Sequence, residues 1–187
     1  MRLLLLIFVL QVLFVSLTSS LFSDKKVKNA RKYELQQKIF SFGNSYTIKD
    51  DKAQPVYKVS FKKLGLGKHL KLTDVSSNRE LYGIKHILNP LGLATYEITQ
   101  NNKTIASVKR KFALTKKFSV KSPTGAYKID GNFRSREFNI KKGKQLVARI
   151  SKKFFTLSDK YGVEIQAGED PAFICALTIV IDEVAHG

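Results

Sequence analysis

From Tyr33 onward the chain alternates. Short runs in which apolar and polar residues trade places are separated by clusters of Gly, Pro, Asn, Ser, Asp and Lys. "YELQQKIFSF" stops at "GNS" and "YTIKD" stops at "DKAQ". In "PVYKVSFKKL", Val56, Lys58 and Ser60 take one face of a strand, while Tyr57, Val59 and Phe61 take the other. A period of two is that of a strand with one buried face. The beat continues through "HLKLTDV", "LYGIKHIL", "LATYEITQ", "TIASVKRKF", "KKFSVKS", "AYKIDG", "REFNIKK", "QLVARISKKFF" and "YGVEIQ". Asn101-Asn102 suits a two-residue hairpin turn, because asparagine tolerates positive φ. About a dozen strands at a spacing of roughly 8–12 residues predict a sandwich or a barrel. No repeat of fixed period and no internal domain boundary interrupts residues 33–187.

The beat then fails. From Ala172 to Ile181 every residue is apolar except Thr178. Asp170 suits a helix N-cap and Pro171 the first helical position. A helix that is apolar on all sides should be surrounded on all sides. Asp182 and Glu183 arrive too early for a membrane span, since the segment from Asp170 to Glu183 reaches only about 21 Å at 1.5 Å per residue. The ending "DEVAHG" also departs from a lipid-attachment signal, which closes on a hydrophobic tail.

The other apolar stretch is N-terminal. Arg2 precedes a run from Leu3 to Val15 that only Gln11 breaks, and Ser16, Thr18, Ser19 and Ser20 follow. This order predicts a secretory signal peptide over residues 1–20, and hence a protein of the secretory pathway or a secreted one. Leu21 and Phe22 extend the apolar character, so an uncleaved signal-anchor holding the chain at a membrane is the alternative. Residues 21–32, rich in Lys and Arg, are expected to be a basic linker, and residues 33–187 a single domain.

The ordered set "KIFSFGNSYTIKDDKAQPVYKV", "LGKHLKLTDVSSNREL", "IASVKRKF", "YKIDGNF", "LVARISKKFF", "DKYGVEI" and the terminal "EDPAFICALTIVIDEVAHG" resembles the tubby C-terminal-like superfamily. Its LURP-one-related branch, related to the phospholipid scramblases, is the nearest match. The resemblance implies a closed antiparallel barrel of about twelve strands around a central hydrophobic C-terminal helix. It also implies a non-enzymatic binding or scaffold module, because tubby domains bind phosphoinositides. No lipid-contacting residue of tubby domains is matched here position by position. The cysteine-rich palmitoylation segment of the scramblases is absent.

Composition narrows the function classes. Hydrophobic residues make up 43% of the chain, a globular share. The lone cysteine, Cys175, rules out an intramolecular disulfide framework. Within a buried helix it would be inert packing. The formal net charge of +18, from 33 Lys+Arg against 15 Asp+Glu, favours anionic partners. These are anionic membrane lipid in the leading reading and polyanionic glycans in the alternative, a secreted basic effector. Nucleic acid is disfavoured, because there is no Trp and no recognisable nucleic-acid motif.

Catalytic signals are missing. His69 and His86 fall in separate strands without ligand-spaced Cys, Asp or Glu, and His186 lies in the tail. There is no G-x-S-x-G, H-E-x-x-H or Walker loop. No catalytic residue, metal ligand or cofactor is assigned. The acidic clusters "IKDDK" and "EIQAGED" lack EF-hand spacing and read as turn and helix-cap chemistry. The basic clusters are Lys62-Lys63, Lys109-Arg110-Lys111, Lys116-Lys117, Lys141-Lys142 and Lys152-Lys153. Lys109, Arg110, Lys111, Lys116 and Lys117 crowd one hairpin end and are the candidate anion or lipid contacts. The competing reading makes them solvated strand edges guarded against aggregation. Asn102-Lys103-Thr104 is an N-x-T sequon in a turn, so Asn102 is a candidate glycosylation site.

Overall fold

A strand that hides one face must find cover for it, and here a ring of strands closes around a helix that supplies it. The computed structural model describes residues 27, 29–36, 46–64, 67–87, 95–111, 117–132, 137–151 and 160–186. The expected signal or signal-anchor at 1–20 lies outside them. Among the described residues there are twelve strands: β1 Arg31–Gln36, β2 Tyr46–Asp50, β3 Pro55–Leu64, β4 Gly67–Asp74, β5 Glu80–Ile87, β6 Thr95–Gln100, β7 Lys103–Lys111, β8 Lys117–Ser122, β9 Gly125–Asn132, β10 Glu137–Lys142, β11 Gln145–Ser151 and β12 Lys160–Ile165. β1 begins at Arg31, inside the stretch expected to be linker, and Val27 ahead of it is buried. Every neighbouring pair is antiparallel. β1 closes the ring on β12 from Arg31↔Ile165 to Gln36↔Lys160. Of the two architectures that alternation allows, the barrel is the one formed.

The alternation sorts side chains as expected. Val59 on β3 is buried while Lys58 is exposed, and Ile129 on β9 is buried while Lys128 is exposed. The turns follow local chemistry. Asn101 and Asn102 both take positive φ, 49° and 63°, between β6 and β7. Asp50 Oδ1 accepts from the backbone N–H of Lys52 and Gln54 at 3.0 and 2.8 Å and shapes the β2–β3 turn. Asp74 accepts from both Ser76 and Ser77 in the β4–β5 turn, and these bonds pull its carboxyl down to about 2.

One helix, α1 Pro171–His186, fills the barrel. Its 16 residues extend about 24 Å at 1.5 Å per residue. Residues 172 to 183 are buried without a break, so no face of that stretch meets water. Thr178 donates its hydroxyl to Ile174 O at 2.9 Å, which satisfies its polar group inside the core. The apolar run does not end the helix. Asp182 and Glu183 continue it and are themselves buried.

The helix is fastened where it enters. Asp170 Oδ1 accepts from Ala172 and Phe173 N–H at 2.9 and 3.2 Å, the expected N-cap. Its second oxygen accepts from Tyr82 of β5 at 2.5 Å. Glu169 accepts from Tyr127 of β9 at 2.9 Å and from Lys142 of β10 at 3.5 Å. The Phe173 ring lies between Tyr82 and Tyr127, at 5.8 and 5.7 Å. Both acidic clusters therefore serve as turn and cap, as their sequences indicate.

Two predictions follow from this core. Leu177 is fully buried in mid-helix. Leu177→Ala should cost about 2–5 kcal/mol in denaturant unfolding. Leu177→Asp should abolish folding, because the carboxylate would be buried without a partner. A folded, soluble Leu177→Asp protein would refute the central position of the helix. The second concerns alkali. Burial holds the phenols of Tyr57, Tyr82 and Tyr96 well above their ordinary 10.0, aided at Tyr82 by the hydrogen bond to Asp170. A raised folded value stabilises the protein fully below the unfolded value, and that contribution falls as pH climbs past 10. Tyrosinate absorbance from these residues should appear together with the loss of β-structure. Their titration near pH 10 in a still-folded barrel would contradict the burial.

Candidate anion-binding face

The barrel has two rims. The β2–β3, β4–β5, β6–β7, β8–β9 and β10–β11 turns close one of them, where α1 enters. β3 and β4, and likewise β7 and β8, connect at the other. The register pairs Lys63 with Lys68 and Lys62 with His69 on β3–β4, and Lys111 with Lys117 and Lys109 with Ser119 on β7–β8. Clusters 62–63 and 109–117 therefore belong to one rim. Lys141-Lys142 belongs to the other and is neutralised there. Lys141 pairs with Asp130 at 3.2 Å, and Lys142 pairs with Glu169 at 3.5 Å beside the Tyr127 ring. The five basic clusters do not form one patch. Lys152-Lys153 lies outside the described residues.

Of the candidate contacts, Lys109 is exposed. Lys111 and Lys117 occupy directly opposed register positions, and Arg110 is the register partner of Phe118, a core residue. The side chains of Arg110, Lys111 and Lys117 are outside the described set, as is the whole of Lys116. β7 (KTIASVKRK) and β8 (KFSVKS) contain no Asp or Glu.

Register adds two lysines that the sequence clusters missed. Ser119, the partner of Lys109, pairs onward with Lys128 of β9, and Lys128 pairs with Lys141 of β10. The next row toward the turn rim is Ser107, Lys121 and Ala126. Lys109, Lys121 and Lys128 are all exposed. The signal for Lys121 and Lys128 is their polar parity in "KFSVKS" and "AYKIDG". It becomes a surface only once the strand partners are known.

Elsewhere, polar groups are tied to structure. Lys32 pairs with Glu164 at 3.5 Å, and Lys71 pairs with Glu80. His86 stacks on Tyr96 with ring centres 4.7 Å apart. His69 is half-buried, and His186 ends the helix. Cys175 is fully buried, and burial pushes its thiol far above the ordinary 9.0, which leaves it unreactive. No group of three His, Cys, Asp or Glu able to hold a metal occurs among the described residues. No described helix is long and apolar enough to cross a membrane. Asn102 is exposed at the tip of the β6–β7 turn, and Thr104 of its sequon donates to Glu97 at 3.1 Å.

Known proteins match this whole unit. A protein of Arabidopsis thaliana solved by X-ray crystallography shares the fold, with a TM-score of 0.60 at 17% identity over 83% of this chain and 91% of its own. The Bacillus subtilis (strain 168) protein YxjI, described as uncharacterized, is 34% identical over 152 residues, 81% of this chain and 92% of its own. The profile of the LURP-one-related family matches residues 31–182, from the first residue of β1 to the buried Asp182 of the helix. The chain is a member of the LURP-one-related family.

Proposed function

We propose that this barrel is a non-enzymatic binding module whose ligand is anionic phospholipid. The observation that carries the reading is the β7–β8 pair. Lys109 and Lys121 are exposed there, on strands that contain no acid, and Lys111 and Lys117 are register partners on the same pair. A layer of phosphate or carboxylate groups neutralises such exposed lysines from outside. Each lysine held near such a surface contributes about 1 kcal/mol. The family and its barrel fold support a binding module, and because α1 occupies the lumen the reading puts the contact on the outer surface.

The test uses the purified full chain with vesicles of phosphatidylcholine alone and with phosphatidylserine added. Binding to the phosphatidylserine vesicles should be stronger and should fall as salt is raised. Lys109→Ala combined with Lys111→Ala should lose about 2 kcal/mol of that preference. Equal binding to both vesicles, or binding to neither, would overturn the reading.

A further inference from the structure

We infer that the barrel docks on the anionic bilayer side-on, through the outer face of β7, β8 and β9, with Lys121 and Lys128 as contacts alongside Lys109. This rests on the phospholipid reading above and specifies its surface. The register gives the geometry. Lys109 and Lys128 share one cross-strand row with Ser119 between them. At 4.7–4.9 Å per strand, that sets them about 10 Å apart. Lys121 lies two residues along β8 from Ser119, about 7 Å toward the turn rim. The cations thus run down the barrel wall and are not confined to its end. A cylinder meets a plane along its length, so a strip of this direction fits a bilayer better than an end-on contact does.

The surroundings favour the same partner. Ser119 lies between Lys109 and Lys128, and Ser107 and Ala126 flank Lys121, all three of them short side chains. None of Lys109, Lys121 and Lys128 has an ion pair among the described residues. The nearest acid on β9, Asp130, is taken by Lys141 at 3.2 Å. The other side of the barrel contrasts, with Lys32 paired to Glu164 and Lys71 to Glu80. The strip carries no large exposed apolar side chain. The described ones, Val75 and Ile87, belong to the β4–β5 turn and the end of β5. The contact that these described residues offer is therefore ionic.

The experiment compares the full wild-type chain with Lys121→Ser/Lys128→Ser and with a control, Lys52→Ser/Lys58→Ser, which removes exposed lysines of the β2–β3 turn and of β3, across the ring. About fivefold is expected for each contact lysine, from about 1 kcal/mol each at 1.4 kcal/mol per tenfold. The strip variant should lose about 25-fold of the salt-sensitive affinity for phosphatidylserine vesicles on the same scale, and the control should lose little. A second readout needs no loss of charge from the strip. Because Cys175 is buried, a fluorophore can be placed selectively on Ser119→Cys or Lys58→Cys. Vesicle binding should shield the label at 119 from acrylamide and leave the label at 58 open. If the wild type prefers phosphatidylserine but the strip variant binds as tightly and the 119 label stays open, the side-on face is wrong while the lipid reading stands. If the wild type shows no such preference, or is held by heparin and not by vesicles, the lipid reading itself falls.

Discussion

An α-helix without a polar face can be stable in water only if something encloses it completely. That constraint organises this protein. α1 is buried from Ala172 to Glu183, and no open two-layer sheet arrangement could cover every side of it. Twelve strands closed into a ring can, and the β1–β12 pairing that shuts the ring is as long as β1 itself. Helix and barrel are mutually dependent. The inward residues of each strand have the helix to pack against, and the helix has no other apolar surroundings. Polar bonds then fix the relative position of the two. Tyr82 and Tyr127, on strands well separated around the ring, hold the adjacent carboxylates of Asp170 and Glu169.

Closure also changes what surface lysines mean. In an open sheet, lysine often protects an exposed edge from pairing with another chain. A closed ring has no such edge. Lys109, Lys121 and Lys128 lie on strands hydrogen-bonded on both sides, so edge protection does not account for them. Nor do they take part in the ionic fastenings that occupy Lys32, Lys71, Lys141 and Lys142. Among the described residues, cations with structural partners thus stand apart from outward-facing lysines that have no ion pair, two of which, Lys109 and Lys121, lie on the acid-free β7 and β8.

Much of this was legible in the chain. Period-two alternation located all the described strands, since each inward residue must be apolar. Asn101-Asn102 marked its turn through tolerance of positive φ, and Asp170-Pro171 marked the helix start. Alternation could not separate a sandwich from a barrel, because both bury one face of every strand. The apolar helix and the family likeness made that distinction. Register was the information missing at the candidate face. Lys109, Lys121 and Lys128 are far apart in sequence, and nothing local says that Ser119 faces both Lys109 and Lys128. The Lys141-Lys142 cluster was equally opaque. Its neutralisation depends on Asp130 across one strand pair and on Glu169 from the helix entry.

The helix that stabilises the barrel also limits its chemistry. A barrel of this size could enclose a ligand, but here the enclosed volume holds Ile174, Leu177, Ile179 and their neighbours, all fully buried. The ionisable groups next to the helix have structural work. Tyr82, Tyr127, Lys142, Glu169 and Asp170 fix its entry, and the thiol of Cys175 is held neutral by burial. Recruiting any of them to a ligand inside the barrel would weaken the contacts that close the fold. The outer wall carries no such obligation. On β7, β8 and β9 the inward residues Val108, Val120 and Ile129 supply the packing, so the outward lysines can change partners without disturbing the core. The division between a filled interior and a charged wall thus follows from the enclosed helix.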